Sequence, residues 1–186
     1  MNRILCTLIS LLFAVTTAAQ STPLKTGSIA PEITLPRMDG SMFALSSLKG
    51  RLVLIDFWAT WCAPCVKEQP QLKALYEKFA PEVKEGKFEI IGVSLDKDKS
   101  TWKKTVDRLK INWVQVSDLK FWRSPVAKDY GIEELPFNVL VDEQNKIIAI
   151  NLHEKELENL IQRRLGATRE QPRSIKAATL NNSKHE

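Results

Sequence analysis

Cysteine is scarce in this chain: its 186 residues contain Cys6, Cys62 and Cys65 and no others. Three thiols cannot build a framework of several disulfides, which excludes the small cross-linked folds of many exported domains. Histidine is scarcer still, and His153 and His185 stand in contexts unrelated to the cysteines. The two neighbouring cysteines therefore lack partners for a four-ligand zinc site. No charge of one sign dominates: the formal net charge is +5, and the basic residues are scattered among acidic ones. That is the pattern of a solvated surface, not of a nucleic-acid partner. The apolar stretch from Ile4 to Val15 falls short of the roughly 20 residues a membrane span needs, so no stable membrane insertion is expected. Repeats and low-complexity domains are absent, which leaves one domain with a proper core and some appendage.

What is present begins with a targeting segment. Arg3 supplies a positive n-region, Ile4 to Val15 an apolar h-region, and Thr17-Ala18-Ala19 a small-residue cleavage site. Residues 1–19 read as a signal peptide, with an uncleaved signal anchor as the alternative; cleavage leaves Gln20 first and removes Cys6. Residues 20–27 form a leader, 28–166 the folded domain and 167–186 a polar tail, expected to be disordered, that contains Pro172. The mature chain then keeps only Cys62 and Cys65, two residues apart in an exported, periplasmic protein. A disulfide between them closes too small a loop to stabilise much, so redox work is the better reading.

The stretch Leu52 to Trp58 is apolar and rich in β-branched residues, as a buried strand is, and it leads directly to the cysteine pair. After Cys65, Leu72, Leu75, Tyr76 and Phe79 recur at helical spacing, with Pro64 in the first turn and Pro70 mid-helix, where a kink is expected. The sulfurs thus fall at a loop–helix junction, with one at the exposed first turn and the other just inside. Partial positive charge and free N–H groups at a helix N-terminus favour a thiolate. Cysteines so placed titrate at about 3.5–7.5 instead of about 8.5. Cys62 is assigned as the attacking thiol and Cys65 as the resolving one.

Around this unit, Glu32–Leu35 and Ser41–Ala44 alternate about Asp39-Gly40 as a hairpin does. Lys78 to Lys87 reads as a turn, and Phe88 to Ser94 as a second buried strand. Ser100 is the expected N-cap of a helix to about Lys110, followed by a strand at Trp113–Val116. Ser124 and Pro125 open a helix that Gly131 ends. Phe137–Asp142 and Lys146–Ile150 form a second hairpin, and Glu154 to Leu165 an amphipathic last helix.

The string Trp61-Cys62-Ala63-Pro64-Cys65, with Glu68 and Pro70 after it, resembles the TlpA-like branch of exported thiol–disulfide oxidoreductases in the thioredoxin superfamily. The resemblance runs from about Gly27 to Leu165. It implies an α/β fold: a thioredoxin-like central mixed β-sheet flanked by helices, with an N-terminal β-hairpin extension and a helix–strand insertion at Asp96–Ser117. Pro136, entering a buried strand, matches the superfamily's cis-proline, whose loop lies against the disulfide and receives substrate backbone. Leu135 beside it and Trp61 beside Cys62 belong to the surface a substrate meets, although Glu134-Leu-Pro-Phe137 departs from the usual Val-Pro-Thr string. Asp56 matches the buried aspartate that handles the inner cysteine's proton; burial should raise its pKa. The alternative is a strand-end aspartate bonded to backbone. Glu68, three residues past Cys65, matches an acidic residue that tunes the cysteines, or is an ordinary exposed helix glutamate. Trp58 packs the redox loop; Trp102, Trp113 and Trp122 read as core or rim.

The function expected is dithiol–disulfide exchange with exported disulfide-containing proteins, in the reducing direction, with no cofactor beyond the Cys62–Cys65 disulfide. A reductant in that space implies a membrane thiol electron donor. Two alternatives stand beside it. A peroxiredoxin-type thiol peroxidase would need Pro-x-x-x-Thr/Ser-x-x-Cys, where this chain has Ile55 and Ala59. A non-enzymatic module could hold a partner or copper(I) through the thiolates.

Overall fold

The computed structural model describes residues 24–170, with side chains to residue 166. The expected signal peptide with Cys6, the first part of the leader and the tail beyond Glu170 lie outside the described residues. Among the described residues the first two strands form a hairpin, β1 (Thr34–Pro36) and β2 (Met42–Ala44), paired Leu35 to Phe43. Gly40 takes a φ of 88° at the turn, a backbone region that glycine enters without a Cβ penalty.

A five-stranded sheet follows, made of β3 (Leu52–Trp58), β4 (Phe88–Ser94), β5 (Val114–Val116), β6 (Phe137–Val141) and β7 (Ile147–Ile150). Its order is β5-β4-β3-β6-β7. The pairs β3–β4 and β4–β5 are parallel, whereas β6 lies antiparallel to β3 and to β7. Every residue of β3 and β4 is buried, which is why both read as nearly continuous apolar runs. The alternation of side chains along β3 divides the core. Leu52, Leu54 and Trp58 pack on one face with Leu72, Leu75, Trp102, Leu157 and Ile161. Val53, Ile55 and Phe57 pack on the other with the hairpin's Ile33, Leu35 and Phe43 and with Val126 and Tyr130. Asp56 shares its parity with the first set and so points to the helix-covered face.

The helices are α1 (Ala63–Lys78), α2 (Ala80–Lys84), α3 (Lys99–Leu109), α4 (Pro125–Asp129) and α5 (Glu154–Glu170). The mixed sheet, hairpin and α3–β5 insertion agree with the fold expected from sequence. Several local readings are corrected. The segment read as a turn after Lys78 contains α2, whose Pro81 occupies the first turn, where no N–H is needed. Helix α3 is capped by Asp98, not Ser100: Asp98 Oδ2 accepts from the Thr101 N–H at 2.6 Å, placing Ser100 inside the first turn. Ser124 precedes α4 as expected, yet its hydroxyl makes no cap bond. Helix α1 continues through Pro70, and α5 runs past Leu165 to Glu170.

Two bridges seat the N-terminal extension, Ile29 to Lys146 and Arg37 to Val116, and the Tyr130 hydroxyl donates to the Pro31 carbonyl at 2.7 Å. The insertion is tied in through Gln115, whose Oε1 accepts from Trp58 Nε1 at 3.0 Å. Gly92 leaves room for that side chain; a Cβ there would overlap the Gln115 amide. Among the described residues, no helix is long and apolar enough to cross a membrane.

Candidate active site

Strand β3 carries the chain out of the core at Trp58, and four residues later Cys62 becomes the N-cap of α1. Its Sγ accepts from the Cys65 N–H at 3.2 Å and is joined to Cys65 in a disulfide with Cα atoms 5.3 Å apart. Cys62 was expected at an exposed turn, but it is 6% exposed and Cys65 1%. The order of access is as expected; the outer sulfur is more covered, because α1 begins inside the cluster that also holds Trp58 and Ala59.

The intervening loop is held from β4. Asp96 Oδ1 accepts from the Thr60 N–H at 3.1 Å and from its hydroxyl at 2.6 Å, while Oδ2 accepts from the Ser94 hydroxyl at 2.7 Å. Bonds of this kind to a buried carboxyl contribute about 1.5–3 kcal/mol. Asp96→Ala is expected to lower stability by about 2–3 kcal/mol, and Thr60→Val, which keeps the N–H contact, by about 1 kcal/mol. Urea midpoints at unchanged slope measure both; equal losses would mean that the carboxyl holds nothing beyond the hydroxyl.

On β3, Asp56 is 3% exposed and its Oδ2 accepts from Gln69 Nε2 of α1 at 2.9 Å. Burial pushes the Asp56 carboxyl up to about 7; the Gln69 bond opposes this, Glu68 adds to it, and His153 works against it. The partner is thus a side chain on α1, not backbone. Glu68 is no exposed helix glutamate either. Its side chain is 13% exposed, and its Oε1 lies 2.6 Å from His153 Nδ1. That corrects the placing of His153 in an unrelated context: the loop from β7 to α5 brings it across 85 residues of sequence.

The Leu135–Pro136 peptide bond is cis. Leu135 packs against the cluster that contains both cysteines, and Pro136 lines an open pocket of about 530 Å³ with Pro64, Lys67, Glu68 and His153. On the other side, Trp61 is 47% exposed and its Nε1 donates to the Leu95 carbonyl at 3.4 Å. Its ring centroid lies 5.0 Å from Phe121 and 6.0 Å from Trp122, and Lys97 Nζ stands 4.3 Å from the Phe121 centroid. Trp61, next to Cys62, thus belongs to an aromatic wall, and Pro64, next to Cys65, to the Pro136 pocket.

A family described as AhpC/TSA matches residues 26–150, a span that holds the hairpin, the insertion and every site residue above except His153. The chain belongs to this family. Among its relatives is the thiol-disulfide oxidoreductase ResA of Bacillus cereus, 33% identical over 150 residues, or 76% of this chain and 78% of that protein. The thioredoxin domain of a thiol-disulfide oxidoreductase from Bacteroides vulgatus superposes with a TM-score of 0.69 at 37% identity, covering 75% of this chain and 97% of that one. A thiol:disulfide interchange protein from a Bacteroides species gives 0.68 at 36% identity, covering 77% and 91%. With its disulfide at the head of α1, the protein is a thioredoxin-fold thiol–disulfide oxidoreductase.

Sequence reasoning missed four groups of this oxidoreductase. Gln69 carried a usable signal: one place past Glu68, four past Cys65, it turns toward β3. Asp96 and Thr60 stand after adjacent parallel strands, where their carboxy-terminal ends place loops side by side. For His153 nothing local pointed to Glu68. The aromatic wall needed the fold too, since Phe121 and Trp122 sit after β5 and Trp61 after β3. Among the described residues, no group of three or more His, Cys, Asp or Glu side chains could hold a metal ion.

Proposed function

We propose that this oxidoreductase is an exported reductant of protein disulfides, with Cys62 as nucleophile and Cys65 as resolving thiol. The observation that supports it best is the Cys62 sulfur at the N-cap of α1, where it accepts an N–H bond and meets the positive end of the helix. The Cys62 thiolate attacks one sulfur of a substrate disulfide, forms a mixed disulfide and expels the other sulfur as a thiolate. Cys65, giving its proton to Asp56, then attacks Cys62 and releases the second substrate thiolate. The protein is left oxidised and the substrate reduced; two electrons from a membrane thiol donor restore the dithiol. Glu68 adjusts the field at Asp56, while Trp61, Leu135 and Pro136 receive the substrate chain. Residues 1–19 direct export to the periplasm and are removed.

The deciding measurement is the reduction potential of the Cys62/Cys65 pair in defined thiol buffers. A value near the thioredoxin reference of about −270 mV is expected. One near about −120 mV, that of a strong periplasmic oxidant, would reverse the direction and make the protein a disulfide donor. A peroxidase reading has little to stand on: Ile55 and Ala59, at the positions such chemistry needs, are buried and carry no hydroxyl. Peroxide consumption at background rate is the expected outcome.

A further inference from the structure

His153 is used by none of the steps above, yet it is built into the site. The loop that bears it is fastened to β6: the Asn151 N–H donates to the Asn138 carbonyl at 2.8 Å, and Asn138 Nδ2 donates to the Leu152 carbonyl at 2.7 Å. The residues on either side of this turn, Asn151 and Glu154, take φ values of 56° and 50°. Left-handed backbone is unfavourable for residues with a Cβ and persists where surrounding contacts determine it. The imidazole that results is one-third exposed and meets Glu68 at 2.6 Å, on the wall of the pocket that also contains Pro64 and Pro136.

The charged groups facing His153 come from three elements: Lys67 and Glu68 on α1, Glu154 on α5, and Asp56 on β3. Glu68 and His153 act on Asp56 with opposite signs. A neutral imidazole donating through Nδ1 orients the Glu68 carboxyl; a protonated one also cancels its charge. We propose that His153 is a positioning residue of the redox centre, which fixes Glu68 at the wall of the Pro136 pocket and sets how much of its negative charge the reacting sulfurs feel. A Glu68 carboxyl whose negative charge is drawn onto His153 favours the thiolate of Cys62, and the same carboxyl without that partner favours the thiol. The inference rests on the reading of Cys62 as the reactive thiol.

The test is iodoacetamide alkylation of the reduced full chain from pH 5 to 9, with the modified cysteine identified by mass spectrometry. His153→Gln keeps a hydrogen-bonding side chain that cannot take up a proton. It is expected to move the Cys62 profile up by about half a pH unit, making alkylation about threefold slower below the midpoint. His153→Lys, which keeps a cation, is expected to leave the profile at or below that of the wild type. In a Glu68→Gln background, adding His153→Gln should change the rate by less than about 1.5-fold, because the group it acts through is gone. A His153→Gln profile that matches the wild type, a lysine variant that behaves like the glutamine one, or the same threefold step without Glu68 would each overturn the proposal. Failure of the underlying reading looks different: Cys65 would be modified before Cys62.

Discussion

Replacing Cys65 with serine is expected to stop turnover and leave Cys62 covalently joined to its substrate. Cys65 is 1% exposed and lies one turn inside α1, so an incoming protein disulfide meets Cys62 first. Once the mixed disulfide has formed, the neighbouring sulfur, already within bonding reach in the oxidised protein, is the group placed to break it. A serine hydroxyl at that position cannot exchange. The rate of reduction of a disulfide-containing protein should fall on the order of 10³-fold or more, since loss of one member of a catalytic pair removes nearly the whole of its effect. Non-reducing electrophoresis and mass spectrometry of the exported fraction should show adducts on Cys65→Ser and none on Cys62→Ser. Adducts on Cys62→Ser instead would exchange the roles of the two sulfurs. Their absence from both variants would remove protein disulfides from the substrate class.

The parts of this molecule that were legible in sequence are those in which neighbouring residues determine the structure. The run Leu52 to Trp58 carries its own proof of burial on both faces, and Pro64 and the later leucines mark α1 without help from elsewhere. Errors arose where two local signals competed. Asp98 and Ser100 are both good caps, and the choice falls to the residue whose carboxyl reaches the third helical N–H. Helix α2 has five residues, too few to show a period. At the site, the sequence named the cysteines, Asp56, Glu68 and Pro136, because each stands in or beside a motif. The side chains that contact Asp56 and Glu68 did not show. Gln69 acts across the sheet–helix interface and His153 across two elements; only tertiary packing brings them to Asp56 and Glu68.

That packing gives Asp56 a large effect on stability between about pH 4 and about pH 7. In an unfolded chain its carboxyl ionises near 3.8, whereas burial holds it protonated in the fold up to about 7. Between those values the folded state binds one proton more than the unfolded state, so stability falls as pH rises. The contribution is fully present below about pH 4 and lost by about pH 7; about three units at about 1.4 kcal/mol each bring the loss to the order of 4 kcal/mol. Asp56→Asn keeps an oxygen for Gln69 Nε2 and cannot ionise. In the oxidised protein the variant is therefore expected to match the wild type at pH 4 and exceed it by a few kcal/mol at pH 8, read as a rise in the urea midpoint. Parallel midpoint curves for the two proteins across that range would mean that Asp56 ionises in the fold as easily as in water. The same substitution takes away the acceptor for the Cys65 proton, and positioned acid–base groups contribute 10²–10⁴-fold. Release of the mixed disulfide should then slow by about 10²-fold while Cys62 alkylation changes little. Both results together would mark Asp56 as a group kept at a net cost to the stability of the oxidised fold and needed in the resolving step, one whose burial the chemistry requires and the core does not.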